Sequence, residues 1–260
     1  MSLKNREGCN VRKCAVVTGA AGGIGKAIAE ALAGQDHDVV VVDINANGQE
    51  VADAISGHFV SADLTSREAC QDIIDDAVRT YGRIDILVNN AGFQQVAPIE
   101  DFPEDTWDQM LGVMLRAPFL LTKYAWPHMK KNGWGRVVNI SSILGLVGTP
   151  NKAAYVSAKH GVIGLTKTAA HEGGAHGITV NALCPSYVRT PLVENQVADQ
   201  ARVNDIPEDE VIEKIMLAPT SIKRLVEPEE IGKLVVYLCS DDAASVTGAC
   251  WTIDCGWTAQ

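Results

Sequence analysis

Tyr155 and Lys159 stand four residues apart in a segment of helical period, so both side chains leave the same face of a helix. A phenol with a pKa near 10 is a poor proton carrier at neutral pH. A neighbouring ammonium favours the phenolate and can lower that value by roughly 1–3 units. Ser142 follows an apolar run, Arg136 to Ser141, that reads as a strand. From a strand end its hydroxyl can donate to a substrate oxygen while Tyr155 exchanges a proton, and such assistance is typically worth about 10²–10⁴-fold. The chemistry on offer is proton transfer at an alcohol or carbonyl oxygen. Taken alone, Tyr-x-x-x-Lys is a weak motif, and two helix residues facing one way by chance explain it as well.

A second feature gives that chemistry a partner. A β-branched run from Lys13 to Thr18 leads straight into Gly19-Ala20-Ala21-Gly22-Gly23-Ile24-Gly25, and a helix-like Ala/Ile pattern follows. Glycines in this place let the backbone turn sharply and approach a pyrophosphate seated on a helix N-terminus. The position after a buried strand and before an Ala-rich helix makes Gly19, Gly23, Ile24 and Gly25 a dinucleotide-binding candidate. Asp43 ends the next apolar run, 18 residues past Gly25. A carboxylate there can accept hydrogen bonds from ribose hydroxyls and would repel the extra phosphate of NADP, so NAD is the expected cofactor. Asp is also a common helix-capping residue, which is the plainer alternative.

These residues need a scaffold, and the rest of the chain supplies one. Strand-like runs at Lys13–Thr18, Val39–Asp43, His58–Ser61, Ile84–Asn89, Arg136–Ser141, Ile178–Cys184 and Cys250–Ile253 alternate with helical segments around 24–34, 66–80, 104–131, 152–175 and 228–240. Such alternation predicts a single-domain α/β fold with a doubly wound, Rossmann-type parallel sheet over 13–260. Residues 1–12 read as a loose extension. Residues 186–227 are long for a connection and read as a substrate loop or lid.

Composition excludes several classes. A formal net charge of −10 argues against nucleic acid and anionic membrane surfaces as partners. The seven cysteines, at 9, 14, 70, 184, 239, 250 and 255, are odd in number and have no CxxC spacing, so neither a disulfide framework nor a metal site is expected. No stretch of about 18 apolar residues occurs. The expectation is a cytoplasmic protein without metal.

The glycine loop, Asp43, Asp63-Leu64, Asn89-Asn90-Ala91-Gly92, Asn139-Ile-Ser-Ser142, Tyr155 and Lys159 occur in an order and spacing that resemble the short-chain dehydrogenase/reductase family from Lys13 onward. The resemblance implies a hydride-transferring oxidoreductase in which Ser142, Tyr155 and Lys159 are catalytic. Asp63 and Leu64 would flank the adenine, and Asn90, Ala91 and Gly92 would lie along the cofactor. Tyr155 and Lys159 would hold the nicotinamide ribose, and Val188 and Thr190 would meet the cofactor, Thr190 at its carboxamide. It also implies a homotetramer.

Within that family, Asn-Asn-Ala-Gly-Phe93-Gln94, Asn151-Lys152-Ala-Ala-Tyr155 and Val188-Arg-Thr-Pro-Leu-Val-Glu194 are similar to bacterial D-3-hydroxybutyrate dehydrogenases. That likeness implies that Gln94, Lys152 and Gln196 grip a substrate carboxylate, with Ser142, Tyr155 and Tyr187 completing the substrate site. Lys152 also has independent support, because it lies three residues before Tyr155 and projects to the same side. A solvated lysine in the first turn of a surface helix is the bland alternative.

Three positions depart from the pattern. Met114 stands where the family has an Asn that helps relay protons to the Lys, and a thioether accepts hydrogen bonds only weakly. Leu144 and Tyr187 replace the His and Trp of the hydroxybutyrate group, which points to a longer or less polar 3-hydroxy acid or another alcohol. Two alternatives follow: a short-chain alcohol or 3-oxoacyl reductase, and a catalytically weak NAD-binding protein.

Overall fold

A computed structural model describes residues 12–259, so nearly all of the expected N-terminal extension and Cys9 lie outside the described residues. Seven parallel strands form one sheet: β1 (Cys14–Thr18), β2 (Asp38–Asp43), β3 (His58–Ser61), β4 (Ile86–Asn89), β5 (Gly135–Ile140), β6 (Ile178–Pro185) and β7 (Cys250–Ile253). Their spatial order is β3-β2-β1-β4-β5-β6-β7. The order reverses between β1 and β4, and a crevice at the carboxyl ends of strands is expected at such a switch point.

The inner strands β2, β1, β4, β5 and β6 bury both faces, which is why their runs read as continuously apolar, while the edge strands β3 and β7 are only partly buried. Ala15, Val17, Val39, Val41, Ile86 and Val88 point to one side, where they pack with α1 (Gly23–Ala33), α2 (Gly48–Ala54) and, further along the sequence, the helix Pro228–Leu238. The alternate residues Val16, Val40, Leu87, Val137 and Val180 face α3 (Arg67–Tyr81) and a long helical segment on the other side.

That segment departs from the uninterrupted helix expected over 104–131. It comprises α4 (Glu104–Leu111), a π turn over Gly112–Arg116, and α5 (Ala117–Asn132). The Ala117 N–H reaches the Gly112 carbonyl, five residues back. Pro118 has no N–H for the carbonyl of Met114, four residues earlier, so ordinary α-helical bonding cannot continue there. The turn packs on α6 (Ala153–Gly173), where a Cβ at Gly161 would come within 2.8 Å of Leu115.

The 186–227 insertion holds α7 (Pro191–Glu194), α8 (Val197–Asn204), α9 (Glu208–Val211) and a second π turn over Ile212–Met216. It has a small core of its own from Val193, Ala201, Val211 and Met216. A parallel bridge between Val188 and Val226 clasps its two ends together. The chain then enters α10 (Pro228–Leu238), whose start is fixed by a reciprocal capping box between Glu227 and Glu230.

Helix α10 approaches α1 closely at Gly232, where a Cβ would lie 2.9 Å from the Ala27 carbonyl oxygen and 3.1 Å from the Ala31 Cβ. Gly232→Leu should therefore lower stability by about 1–3 kcal/mol through overpacking. A lower denaturant midpoint at unchanged slope would report it.

Candidate active site

The carboxyl ends of the strands open into a cleft of about 1650 Å³. Its walls bring together Gly19, Gly23, Ile24, Asp43, Asp63, Leu64, Asn90, Ala91, Gly92, Gln94, Ser142, Lys152, Tyr155, Lys159, Tyr187, Val188, Thr190 and Gln196. Gly25, expected at the cofactor, is buried behind the wall instead. A Cβ there would overlap the Gly19 carbonyl oxygen, so its part is to let α1 meet the loop.

Gly19 has φ +65°, and a Cβ on it would lie 2.7 Å from Ala91 Cα, so the turn requires glycine. Asn90, expected alongside the cofactor, also braces this turn: its amide donates to the carbonyls of Thr18 (2.9 Å) and Gly19 (3.0 Å). Thr18 Oγ accepts from the N–H groups of Asn90 and Ala91 in return. At the end of β2, the Asp43 carboxylate accepts from the N–H of Ala21 and of Asn45, both at 2.9 Å. These bonds fix the carboxylate beside the glycine turn. Asn45, Asn47, Asp63 and Arg116 also line the cleft, and Arg116 donates from one terminal nitrogen to the Thr65 carbonyl at 2.7 Å.

The other end of the cleft is built where β5 meets α6. Lys159 is only 5% exposed, and its ammonium donates to the Ile140 carbonyl at 2.7 Å. It lies 5.4 Å from the centre of the Tyr155 ring. Burial pushes Lys159 down to about 8. The same burial pushes the Tyr155 phenol up to about 12, against the pull of the nearby Ser142 hydroxyl. This reverses the lowering expected from sequence: desolvation outweighs the ammonium, whose bond goes to a carbonyl and not to the phenol. Ser142 Oγ accepts from the Leu144 N–H at 3.1 Å, which leaves its proton to be donated.

Lys152 is not a solvated surface lysine. It stands at the start of α6, is 3% exposed, and donates to Gln196 Oε1, just ahead of α8, at 2.9 Å. Its ammonium also lies 5.5 Å from the centre of the Tyr187 ring. Burial depresses it to about 8. A desolvated cation with one neutral acceptor, lining the same cleft as Tyr155, is suited to receive an anion.

Met114 is 1% exposed, packed with Met110, Ala154 and Ala158 against Tyr155. Its thioether therefore fills space and does not reach into the cleft. The sequence reading also missed Trp257, which lines the cleft because the C-terminal turn folds back over it. Asp254 makes that turn by accepting from the N–H groups of Gly256 (3.0 Å) and Thr258 (2.9 Å). The Asp-x-Gly spacing was a turn signal, yet nothing local tells where the turn docks. Among the described residues no three His, Cys, Asp or Glu side chains group as metal ligands, and no helix is long and apolar enough to cross a membrane.

Residues 19–258 match a family model described as enoyl-(acyl carrier protein) reductase. The chain belongs to the short-chain dehydrogenase/reductase family. It is 47% identical over 255 residues to an uncharacterised oxidoreductase of Bacillus subtilis, covering 96% of this chain and 99% of the relative. It is 46% identical to the D-beta-hydroxybutyrate dehydrogenase of Rhizobium meliloti, covering 95% and 99%. The crystal structure of levodione reductase superimposes with a TM-score of 0.87 at 32% identity, covering 95% of this chain and 98% of that one. Members of this family are oxidoreductases that act on alcohol groups with NAD or NADP.

The buried Lys152 ammonium costs stability that Lys152→Met should restore. One pKa unit corresponds to about 1.4 kcal/mol, and the lost Gln196 bond offsets about 1–3 kcal/mol, so the net gain should be about 1–2 kcal/mol. Because the folded pKa is depressed from 10.5 to about 8, the penalty is full below about pH 8 and fades towards 10.5. The advantage of Lys152→Met in unfolding curves should therefore be greatest at pH 7 and shrink as pH rises from about 8 towards 10.5.

Proposed function

We propose that this chain is a NAD-dependent dehydrogenase that interconverts a short 3-hydroxy acid and its 3-oxo acid. The observation that carries the reading is Lys152: a buried ammonium three residues ahead of Tyr155, held by Gln196 and facing a cleft that otherwise turns apolar at Leu144. A neutral alcohol would leave that cation without a counter-charge. The relative named for D-beta-hydroxybutyrate supports the same substrate class.

The glycine turn fits a dinucleotide, since Gly22 lines the cleft with open space where its Cβ would stand, leaving the backbone free to approach a pyrophosphate. Asp43 would accept from the ribose hydroxyls, and its carboxylate would repel a further phosphate. NAD, when bound, supplies the acceptor for the hydride that leaves the carbinol carbon. Tyr155 takes the hydroxyl proton in that direction and returns it in the other. Its phenol, held protonated by burial, is in the form needed to protonate a carbonyl oxygen. Ser142 donates to the same substrate oxygen. Lys159, fixed on Ile140, keeps a positive charge beneath the phenol and favours the phenolate when the proton must be taken up. Lys152, with Gln94 and Gln196, holds the carboxylate, and Tyr187 closes the pocket.

Met114 does not cripple this machinery. Pro118 offers no N–H to the main-chain carbonyl of Met114, and an acceptor of that kind would not depend on the side chain. That favours an active enzyme over a weak NAD-binding protein. Leu144 favours a second reading only in the choice of substrate, where a longer or less polar 3-hydroxy acid would meet its apolar surface.

Tyr155→Phe should lower turnover by at least about 10²-fold while leaving the NAD dissociation constant within a few-fold; calorimetry and stopped assays of the same preparation separate the two. Retained turnover would refute the role. Asp43→Ala should raise the ratio of kcat/KM for NADP over NAD, and an unchanged ratio would remove the ribose assignment.

A further inference from the structure

Three successive residues at the end of β5 each touch the acid–base pair in a different way. The Ile140 carbonyl receives the Lys159 ammonium at 2.7 Å. Ser142 presents its hydroxyl beside Tyr155. Between them, Ser141 turns the other way: its hydroxyl donates at 3.0 Å to the main-chain carbonyl of Lys159 itself. Lys159 is thus held at both ends, by its ammonium and by its own backbone, to adjacent residues of one strand.

The Ser141 bond has no room to shift. Ser141 is 3% exposed. A Cβ at Gly145 would overlap Ser141 Oγ, and would lie 2.8 Å from the Lys159 carbonyl oxygen and 2.9 Å from Ile163 Cδ1. The short turn Ile143–Gly145, set by Ser142 accepting from the Leu144 N–H, therefore closes over the bond as a lid of fixed height. A hydroxyl confined in this way acts as a spacer between strand and helix as well as a donor.

We propose that Ser141 is a positioning residue that sets the axial placement of α6 against β5, and with it the separation of Lys159 and Tyr155 from Ser142. The inference rests on the acid–base reading of Tyr155 and Lys159. Tyr155 lies one helical turn before Lys159 on α6, so any slip of the helix moves both groups together relative to the strand that carries Ser142. Elsewhere along α6 the sheet is joined through Asn139, whose amide donates to Thr166 Oγ at 2.8 Å. That contact lies about two turns further on, close to the helix centre, and leaves the active end to Ser141.

The test compares wild type, Ser141→Ala and Tyr155→Phe as full chains with NAD and D-3-hydroxybutyrate. It measures kcat, KM, the pH profile of kcat/KM and the melting temperature. An ultraviolet difference titration, with Tyr155→Phe identifying the Tyr155 signal, reads the phenol without turnover. Ser141→Ala should lower kcat on the order of 10–100-fold with KM and NAD affinity near wild type. The phenol should titrate at higher pH, because a less closely held helix weakens its contact with the Ser142 hydroxyl, which pulls the value down. Ser141→Cys, of similar shape but with a weak donor, should shift the same way and serves if the alanine variant does not fold. A variant that melts earlier but keeps the wild-type kcat and titration would overturn the proposal, since the bond would then be structural only. If Tyr155→Phe itself stays active, the underlying acid–base reading falls and this proposal with it. If Tyr155→Phe is inactive and Ser141→Ala matches wild type, the proposal alone falls.

Discussion

The buried ammonium of Lys159, tied to the Ile140 carbonyl, is the contact on which the rest of the site depends. A lysine this deep is tolerated because its strand-end acceptor is fixed, and the acceptor is fixed because β5 lies in the sheet between β4 and β6. Around this anchor a short series of buried polar side chains is linked by hydrogen bonds. Asn89 donates to Asn139, Asn139 to Thr166, and Thr166 to the Val162 carbonyl, each at 2.8 Å. The ladder joins β4, β5 and α6 through bonds whose loss would leave buried polar atoms without partners, a cost of about 1–3 kcal/mol each.

The same burial that orders the site works against its charges. Lys152 and Lys159 are both pushed down to about 8 and Tyr155 up to about 12, so every one of them is drawn towards its neutral form. A bound anion beside Lys152 and a positive ring beside Tyr155 would each relieve part of that tension. Binding energy can thus be spent where charge is needed, in keeping with a site that sacrifices stability for function. The short-chain dehydrogenase/reductase scaffold holds this strain at the carboxyl edge of the sheet, while the opposite edge and both apolar layers carry the fold.

Much of the architecture was legible in the sequence because it rests on local pattern. The strands His58–Ser61 and Cys250–Ile253 have the bounds that their β-branched runs suggest, and the other five differ by one or two residues. The glycine loop was readable because its backbone demand is met by composition. Helix α2 was not anticipated: seven residues starting at Gly48 carry too few apolar positions to display a period. The π turn was also hidden, since Gly112 and Pro118 look ordinary in a helical stretch until the missing N–H is counted against the carbonyl it would have served. Trp257 and the Ser141–Lys159 bond depend on contacts between distant segments, which no window of sequence contains. The direction of the Tyr155 shift in the protein without cofactor is hidden for a related reason. Spacing tells that an ammonium is near, but only packing tells how dry the phenol is.

The account comes down to whether two hydroxyls from different elements converge on one reacting oxygen. A crystal structure of the chain with NAD and a 3-hydroxy acid tests this most directly. The substrate hydroxyl should lie within hydrogen-bond distance of both Tyr155 Oη and Ser142 Oγ, with its carboxylate on Lys152. A substrate oxygen out of reach of Tyr155, or a carboxylate turned away from Lys152 into solvent, would contradict it.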